Sequence, residues 1–189
     1  MSDALHFSCG TKYAHCTIGG LPVSCASLDV HVQNLVWHAD HEKGVWLLTL
    51  NTEMLARGER EADYLELIKQ ADIFTADGMP LVWASKIKYP KAAINGRTTG
   101  VDLVDAMLSL DRVPRFGVIG GKSPIETIER YGPKAVDACA FVFHGKVDLS
   151  EQQLAIFCSE LTRQQVRLVF IALGVPKQDR LALQLRQSM

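Results

Sequence analysis

The sequence predicts an α/β fold in which a mostly parallel sheet is covered by helices on both faces. Three observations predict it. Five short apolar runs recur along the chain, each the length of a buried strand. Segments of helical period fill the gaps between them. No internal repeat, low-complexity tract or Pro/Ser-rich linker interrupts the alternation, so βαβ crossovers are the natural connection.

The elements follow in order. Residues up to about 17 lack sustained periodicity and read as a flexible arm, with one α/β domain expected over 18–189. Leu28–His41 places Leu28, Val32, Leu35 and Val36 on one helical face. Val45–Leu50 is an apolar run bounded by Gly44 and Asn51, and reads as a buried strand. Met54–Ala71 has the helical pattern Met54, Leu55, Leu65, Ile68 among charges. Asp72–Gly78, Arg115–Gly121, Ala138–His144 and Val166–Gly174 are the remaining strand candidates. Asp102–Leu110 is helical through Leu103, Val104, Met107 and Leu108. Ser123–Val136 and Ser150–Gln164 each open on a capping-box pattern, Ser-Pro-Ile-Glu and Ser-Glu-Gln-Gln. Met79–Ile87 reads first as a core helix, the alternative being a segment with Lys86 and Lys88 exposed that packs against a partner or a membrane surface; Trp46 and Trp83 are expected in the core. The whole is a Rossmann-like arrangement.

Composition narrows the function classes. The 189 residues are 48% hydrophobic and 22% charged, with a formal net charge of −1. That balance gives no global attraction to nucleic acid or anionic lipid. No apolar stretch approaches the ~18 residues that span a bilayer, and the opening residues carry no signal-peptide pattern. A cytosolic location is the expectation. Five cysteines form no C-x-x-C pair, and in that compartment they are expected as reduced thiols. His6, Cys9, His15, Cys16 and Cys25 are all zinc-ligand types, but they lack the two close pairs a structural site uses; no metal is expected.

Ligands bind at the carboxyl ends of strands in open α/β sheets, and each apolar run here delivers polar or glycine residues there. The first is followed by Thr49-Leu-Asn51-Thr-Glu53, the second by Asp77-Gly78-Met79, the third by Gly120-Gly121-Lys122-Ser123. The fourth yields His144-Gly145-Lys146 and the fifth Gly174-Val-Pro176-Lys177-Gln178-Asp179. A carboxylate such as Asp77 at a strand end suits a partly desolvated general base, although a helix cap has similar geometry. Gly117–Lys122 fails the Walker A spacing because Phe116 stands where the first glycine belongs, and it fails the G-x-G-x-x-G order. What remains is a glycine turn entering a helix, which either binds phosphate or only turns the chain. In Asn95–Asp102, Arg97 is placed to clamp a phosphate or carboxylate; equally, Thr99 or Asp102 caps the next helix while Arg97 lies in solvent.

Taken together, these motifs resemble the WecG/TagA/CpsF family, glycosyltransferase family 26. The residues that carry the match are Thr49–Glu53, Ala76–Met79, Arg97–Leu103, Gly117–Lys122 and Gly174–Asp179, in the family's order from about Gly19 to the last residue. The resemblance implies an inverting transferase, hexosyl or N-acetylhexosaminyl. Its donor is a nucleotide-sugar, commonly a UDP-sugar, and its acceptor a polyprenyl-diphosphate-linked saccharide. Such enzymes build bacterial cell-wall polymer, capsule or exopolysaccharide. Asp77 matches the family's catalytic base, Thr49 and Asn51 line the same pocket, and Gln178 lies near the nucleotide-sugar. Arg97, Asp102, Gly120, Gly121, Lys122, Gly174, Pro176 and Lys177 are the further substrate-binding candidates. No cofactor is implied, and the absence of any Asp-x-Asp pair agrees with metal-independent departure of the nucleotide.

Family members usually continue for roughly another 50 residues, an ordinary extension for one α/β domain. That appendage is implicated in docking at the cytoplasmic face of the membrane and in completing the site with arginine. The chain is therefore expected to be either truncated or a short member incompetent alone, with Leu185–Met189 falling inside a helix. Asp179 stands where glutamate is common. A homo-oligomer is allowed by the resemblance; nucleic acid is not an expected partner. Two other classes compete: an NAD(P)-dependent oxidoreductase, disfavoured by the broken fingerprint, and a non-catalytic sugar-nucleotide-binding scaffold.

Overall fold

A computed structural model describes residues 7–8, 11–12, 14–41 and 44–189. The fold is α/β, with parallel strands flanked by helices. The chain divides into two compact units, one of residues up to His38 with Val45–Leu103, the other of Ala39–Gly44 with Val104–Met189.

The first unit contains the short antiparallel pair β1 (Phe7–Ser8) and β2 (Thr11–Lys12) and a four-stranded sheet. The sheet comprises β3 (His15–Ile18), β4 (Leu21–Ser24), β5 (Leu47–Leu50) and β6 (Ile73–Ala76), in the order β3-β4-β6-β5. β3 and β4 are an antiparallel hairpin, whereas β4–β6 and β5–β6 are parallel. The hairpin starts inside the stretch read as an arm. It turns on Gly19 and Gly20, both at positive φ (57° and 79°), as a two-residue turn matched to strand twist requires. β6 is buried along its whole length, which is why Ile-Phe-Thr-Ala reads as a continuous rather than alternating run.

The helices of this unit are α2 (Thr52–Arg60), α3 (Ala62–Ile68), α4 (Met79–Lys88) and most of α1 (Leu28–His41), while α5 (Gly100–Leu108) begins in it and ends in the second. The single helix expected over Met54–Ala71 is two. The chain leaves the helical region at Glu61 (φ −123°, ψ 93°), and Gly58 lets Leu65 approach closely where α2 and α3 pack. α4 is a helix as expected, but Trp83 lies on the surface while Trp46 is buried. Cys16 and Cys25 bring their sulfurs within 3.2 Å as free thiols. Of the other candidate zinc ligands, His6 and Cys9 lie outside the described residues.

The second unit is a three-stranded parallel sheet of β7 (Phe116–Gly120), β8 (Cys139–Phe143) and β9 (Leu168–Ala172), ordered β8-β7-β9. Its helices are α6 (Pro124–Glu129), α7 (Pro133–Ala138), α8 (Glu151–Arg163) and α9 (Lys177–Ser188). Alternation along β7 separates two cores. Ile119 packs with Phe157, Leu161, Leu181 and Leu185 from α8 and α9. Phe116 packs with Leu108, Ile128 and Ala135 on the other side.

The helix expected over Ser123–Val136 is interrupted at Gly132 (φ 86°), with Pro133 opening α7. The capping box expected at Ser123 does not form, since that side chain accepts no cap hydrogen bond. At α8, Ser150 Oγ accepts from Gln153 N at 3.2 Å. The return bond differs from the expected box: Gln153 Oε1 accepts from Asp148 N, and Asp148 Oδ1 accepts from Ser150 N.

Phe157 is buried between Phe141 and Phe143, with ring centroids 6.1 and 4.9 Å away. Phe157→Ala is expected to lower the stability of the second unit by about 3–5 kcal/mol in urea denaturation; a loss under about 1 kcal/mol would show that α8 does not carry this core.

Candidate active site

The carboxyl ends of β5 and β6 carry the sharpest chemistry. Backbone pairing runs past β6, with Asp77 N donating to Leu50 O at 2.8 Å, so Asp77 leaves the sheet beside Asn51. Thr49 is in register with Thr75. Its hydroxyl lies close to Gly100 at the start of α5, within 3.8 Å of where a β-carbon there would sit. Asn51 is the N-cap of α2, its Oδ1 accepting from Met54 N at 2.9 Å.

The loop before α5 is held against β6 by two bonds. Thr98 N donates to Ala76 O at 2.9 Å, and the buried Thr75 hydroxyl donates to Thr98 O at 3.0 Å. Thr98 itself is buried while Arg97 is exposed. Thr99 and Asp102 then close a reciprocal cap on α5: Thr99 N donates to Asp102 Oδ2 at 2.9 Å and Asp102 N to Thr99 Oγ1 at 3.0 Å. The cap alternative at this position is therefore occupied by both residues, as the spacing Thr-x-x-Asp allows. Thr75 and Thr98, which position the loop, carry no local sequence signal, since their partners are more than twenty residues away.

These bonds bring two carboxylates into one electrostatic environment and treat them oppositely. Burial pushes the Asp77 carboxyl above its ordinary value, against the pull of Arg97 and with a smaller push from Asp102. The backbone and side-chain hydrogen bonds of Thr99, aided by Arg97, hold Asp102 below its ordinary value. Asp77 does not cap α4: Gly78 is the N-cap there, with no side-chain bond. No hydrogen bond to the Asp77 carboxylate forms among the described residues. A carboxylate with raised proton affinity and unused lone pairs can accept a proton from a hydroxyl, and divergent affinities in one site mark which group does so.

In the second unit the strand-end glycines meet each other. Gly120 (φ 95°) sits where a β-carbon would strike the Ala172 carbonyl of β9, so no other residue fits without moving a strand. Gly121 N donates to that same carbonyl at 3.0 Å, which commits one of the N–H groups considered for phosphate. Lys122 is exposed. Beyond β9 the chain folds on itself: Gly174 N donates to Gln178 Oε1 at 3.2 Å and Gln178 N to Gly174 O at 3.0 Å. Pro176, after a cis Val175–Pro176 bond, is the N-cap of α9. Lys177 Nζ donates to Val147 O at 2.8 Å, so its ammonium is tied to the protein's own backbone.

A family model described as Glycosyl transferase WecG/TagA/CpsF family matches residues 16–189, and the chain belongs to that family.

The raised affinity of Asp77 has a consequence for stability. The folded chain holds this proton more tightly than the unfolded chain, so stability falls as pH rises from the ordinary aspartate range through the folded value. Asp77→Asn removes that loss. The variant is expected to be more stable than the parent at pH 7 in urea denaturation, with the difference shrinking as pH falls below the ordinary aspartate range. An unchanged or lower stability at pH 7 would show that Asp77 is not desolvated.

Proposed function

We propose that this member of the glycosyltransferase family is an inverting enzyme in which Asp77 is the general base. The family transfers sugars, which implies a nucleotide-sugar donor and an acceptor. In a single displacement the acceptor hydroxyl oxygen bonds to the anomeric carbon as the bond from that carbon to the diphosphate breaks. The hydroxyl proton passes to Asp77, and the electron pair leaves with the nucleoside diphosphate. The observation that carries the assignment is the state of Asp77, unbonded and raised by burial at a strand end, beside an Asp102 whose hydrogen bonds keep it ionised.

Thr49 and Asn51 border the same strand ends and are assigned to the acceptor and sugar side. Arg97 is assigned to charge stabilisation, since its guanidinium is exposed and acts on both carboxylates. Gly120, Gly121, Lys122, Gly174, Pro176, Lys177 and Gln178 are assigned to the nucleotide-sugar. Within that group the Gly120-Gly121 and Gly174–Gln178 turns shape the backbone, and Lys122 is the exposed cation. The donor is proposed to be a UDP-hexose or UDP-N-acetylhexosamine and departure to need no metal. The acceptor is proposed to be a saccharide on a polyprenyl diphosphate at the cytoplasmic membrane face, in bacterial polysaccharide synthesis. Among the described residues no helix is long and apolar enough to cross a membrane.

Ligand-detected NMR on the 189-residue chain tests this reading, with UDP, UDP-N-acetylhexosamines, UDP-glucose, ADP and NAD offered side by side. Uridine-selective contact is expected. In a transfer assay Asp77→Asn is expected to lower turnover by at least about 100-fold, the scale of a lost general base, while UDP contact persists. Selective contact with NAD would overturn the transferase in favour of an oxidoreductase. Full turnover by Asp77→Asn would remove Asp77 from the chemistry.

A further inference from the structure

Two thiols and one carbonyl converge where the β3–β4 hairpin meets the chain leaving α4. Cys16 stands opposite Val23 in the antiparallel ladder, and pairing continues past β4 with Cys25 N donating to Ala14 O at 2.8 Å. Cys25 lies two residues beyond Val23, so it shares a sheet face with Cys16 and takes the diagonal cross-strand position. The two sulfurs are 3.2 Å apart. Each also reaches Ala92 O, Cys16 Sγ at 2.8 Å and Cys25 Sγ at 3.3 Å. Two S–H protons therefore serve three contacts, and when both point at Ala92 O no proton stands between the sulfurs. A disulfide needs them to close from 3.2 Å to ~2.05 Å.

The two thiols differ in access. Cys16 is 1% exposed while Cys25 is half-buried, so a dissolved oxidant meets Cys25 first and Cys16 stands behind it. Both are free thiols. Burial and the adjoining Cys16 thiol push the Cys25 thiol up to about 12. The reactive thiolate is scarce at neutral pH, so the pair answers sustained oxidation over minutes to hours rather than brief exposure. Ala92 matters for where it leads. Lys88 Nζ and Tyr89 Oη each reach Thr17 O on β3 at 3.4 Å, and Ile94 N donates to Ser85 Oγ on α4 at 3.0 Å. Together with the two thiols, these bonds hold Tyr89–Ile94 between β3 and α4. Arg97 follows three residues after Ile94.

We propose that Cys16 and Cys25 form a reversible disulfide, a redox switch that sets how firmly the Ala92 segment holds the loop of Arg97. The oxidant is a low-molecular-weight disulfide such as glutathione disulfide. The Cys25 thiolate attacks one of its sulfurs and expels the first glutathione thiolate. The Cys16 sulfur then attacks the Cys25 sulfur of the mixed disulfide and expels the second. The protons of the two protein thiols end on the two glutathione molecules, so the pair loses two electrons and glutathione disulfide gains them. In the product neither sulfur carries a proton: Ala92 O loses both donors while the hairpin gains a covalent cross-link. The effect on Arg97 bears on transfer only through the reading of the site given above, whereas the disulfide rests on the thiol geometry alone.

Incubation of the folded 189-residue chain with glutathione disulfide tests the proposal, read by non-reducing peptide mapping and by amide hydrogen exchange. A Cys16–Cys25 cross-linked peptide is expected, reversed by dithiothreitol. Exchange is expected to move in opposite directions at two amides. The Cys25 N–H, held in the hairpin, slows, and the Ile94 N–H quickens about three- to fivefold, the scale of one lost hydrogen bond. Cys25→Ser keeps a hydroxyl donor beside Ala92 O at a half-buried position, and is expected to fold, to form no cross-link and to show no change in oxidant. Cys16→Ala is expected to stop at the mixed glutathione disulfide on Cys25. A parent chain that stops there too, that pairs either cysteine with Cys9, Cys139 or Cys158, or that is unreacted after many hours overturns the disulfide. A cross-link that leaves Ile94 exchange unchanged overturns the switch. No readout involves nucleotide or turnover, so failure here leaves the transferase reading untouched, and failure of uridine contact leaves the disulfide untouched.

Discussion

The hydrogen bonding of Thr98 to β6 is the constraint on which the candidate site depends. Its N–H meets Ala76 O and its carbonyl meets the buried Thr75 hydroxyl. A buried carbonyl without a donor costs about 1–3 kcal/mol, so both bonds hold the 97–99 loop in one place. With the loop fixed, Arg97 comes to act on Asp77, and Thr99 is set to cap α5 together with Asp102. Release of Thr98 would free all three.

The consequence is a division of labour between two aspartates drawn from one environment. Both feel Arg97, yet Asp102 has the Thr99 hydrogen bonds and Asp77 has burial without them. Asp102 spends its lone pairs on the helix terminus, where negative charge also suits the dipole. Asp77 keeps its own unused among the described residues, as the proposed base requires. The second unit works by the opposite principle: its strand-end residues are bonded to one another, Gly121 to Ala172, Gly174 to Gln178 and Lys177 to Val147. Those bonds fix backbone shape, which is what the proposed nucleotide-binding turns would need before any side chain contributes.

Much of the fold was legible because the physics is local. β6 and β7 read as apolar runs since they are buried along nearly their whole length, and Leu28–His41 has the bounds its periodicity gives. The β3–β4 hairpin was hidden by its brevity and by Pro22 in a four-residue strand, although Gly19-Gly20 marks the turn. The break at Gly132-Pro133 was present in the sequence, where a residue before proline avoids the helical region, but the Ser-Pro-Ile-Glu start obscured it. The break at Glu61 has no glycine or proline to announce it and comes from packing between α2 and α3. At the site, strand-end position pointed to Thr49, Asn51 and Asp77. The tie from Thr98 to β6 and the capture of Gly121 by β9 depend on partners distant in sequence, which no periodicity reveals. The outward Trp83 was misplaced for a related reason: an apolar helix looks like core until one knows that only Leu81, Val82 and Ser85 meet the sheet.

The proposed base, Asp77, stands between the end of β6 and the start of α4. The most direct test of the central claim is the carboxyl titration of Asp77, followed by carbon-13 NMR in the 189-residue chain and in Arg97→Gln. Burial beside an opposing cation predicts a midpoint above the ordinary aspartate value, moving higher when the guanidinium is removed. A midpoint at or below that value, or one indifferent to Arg97, would contradict the assignment of Asp77 as a desolvated base.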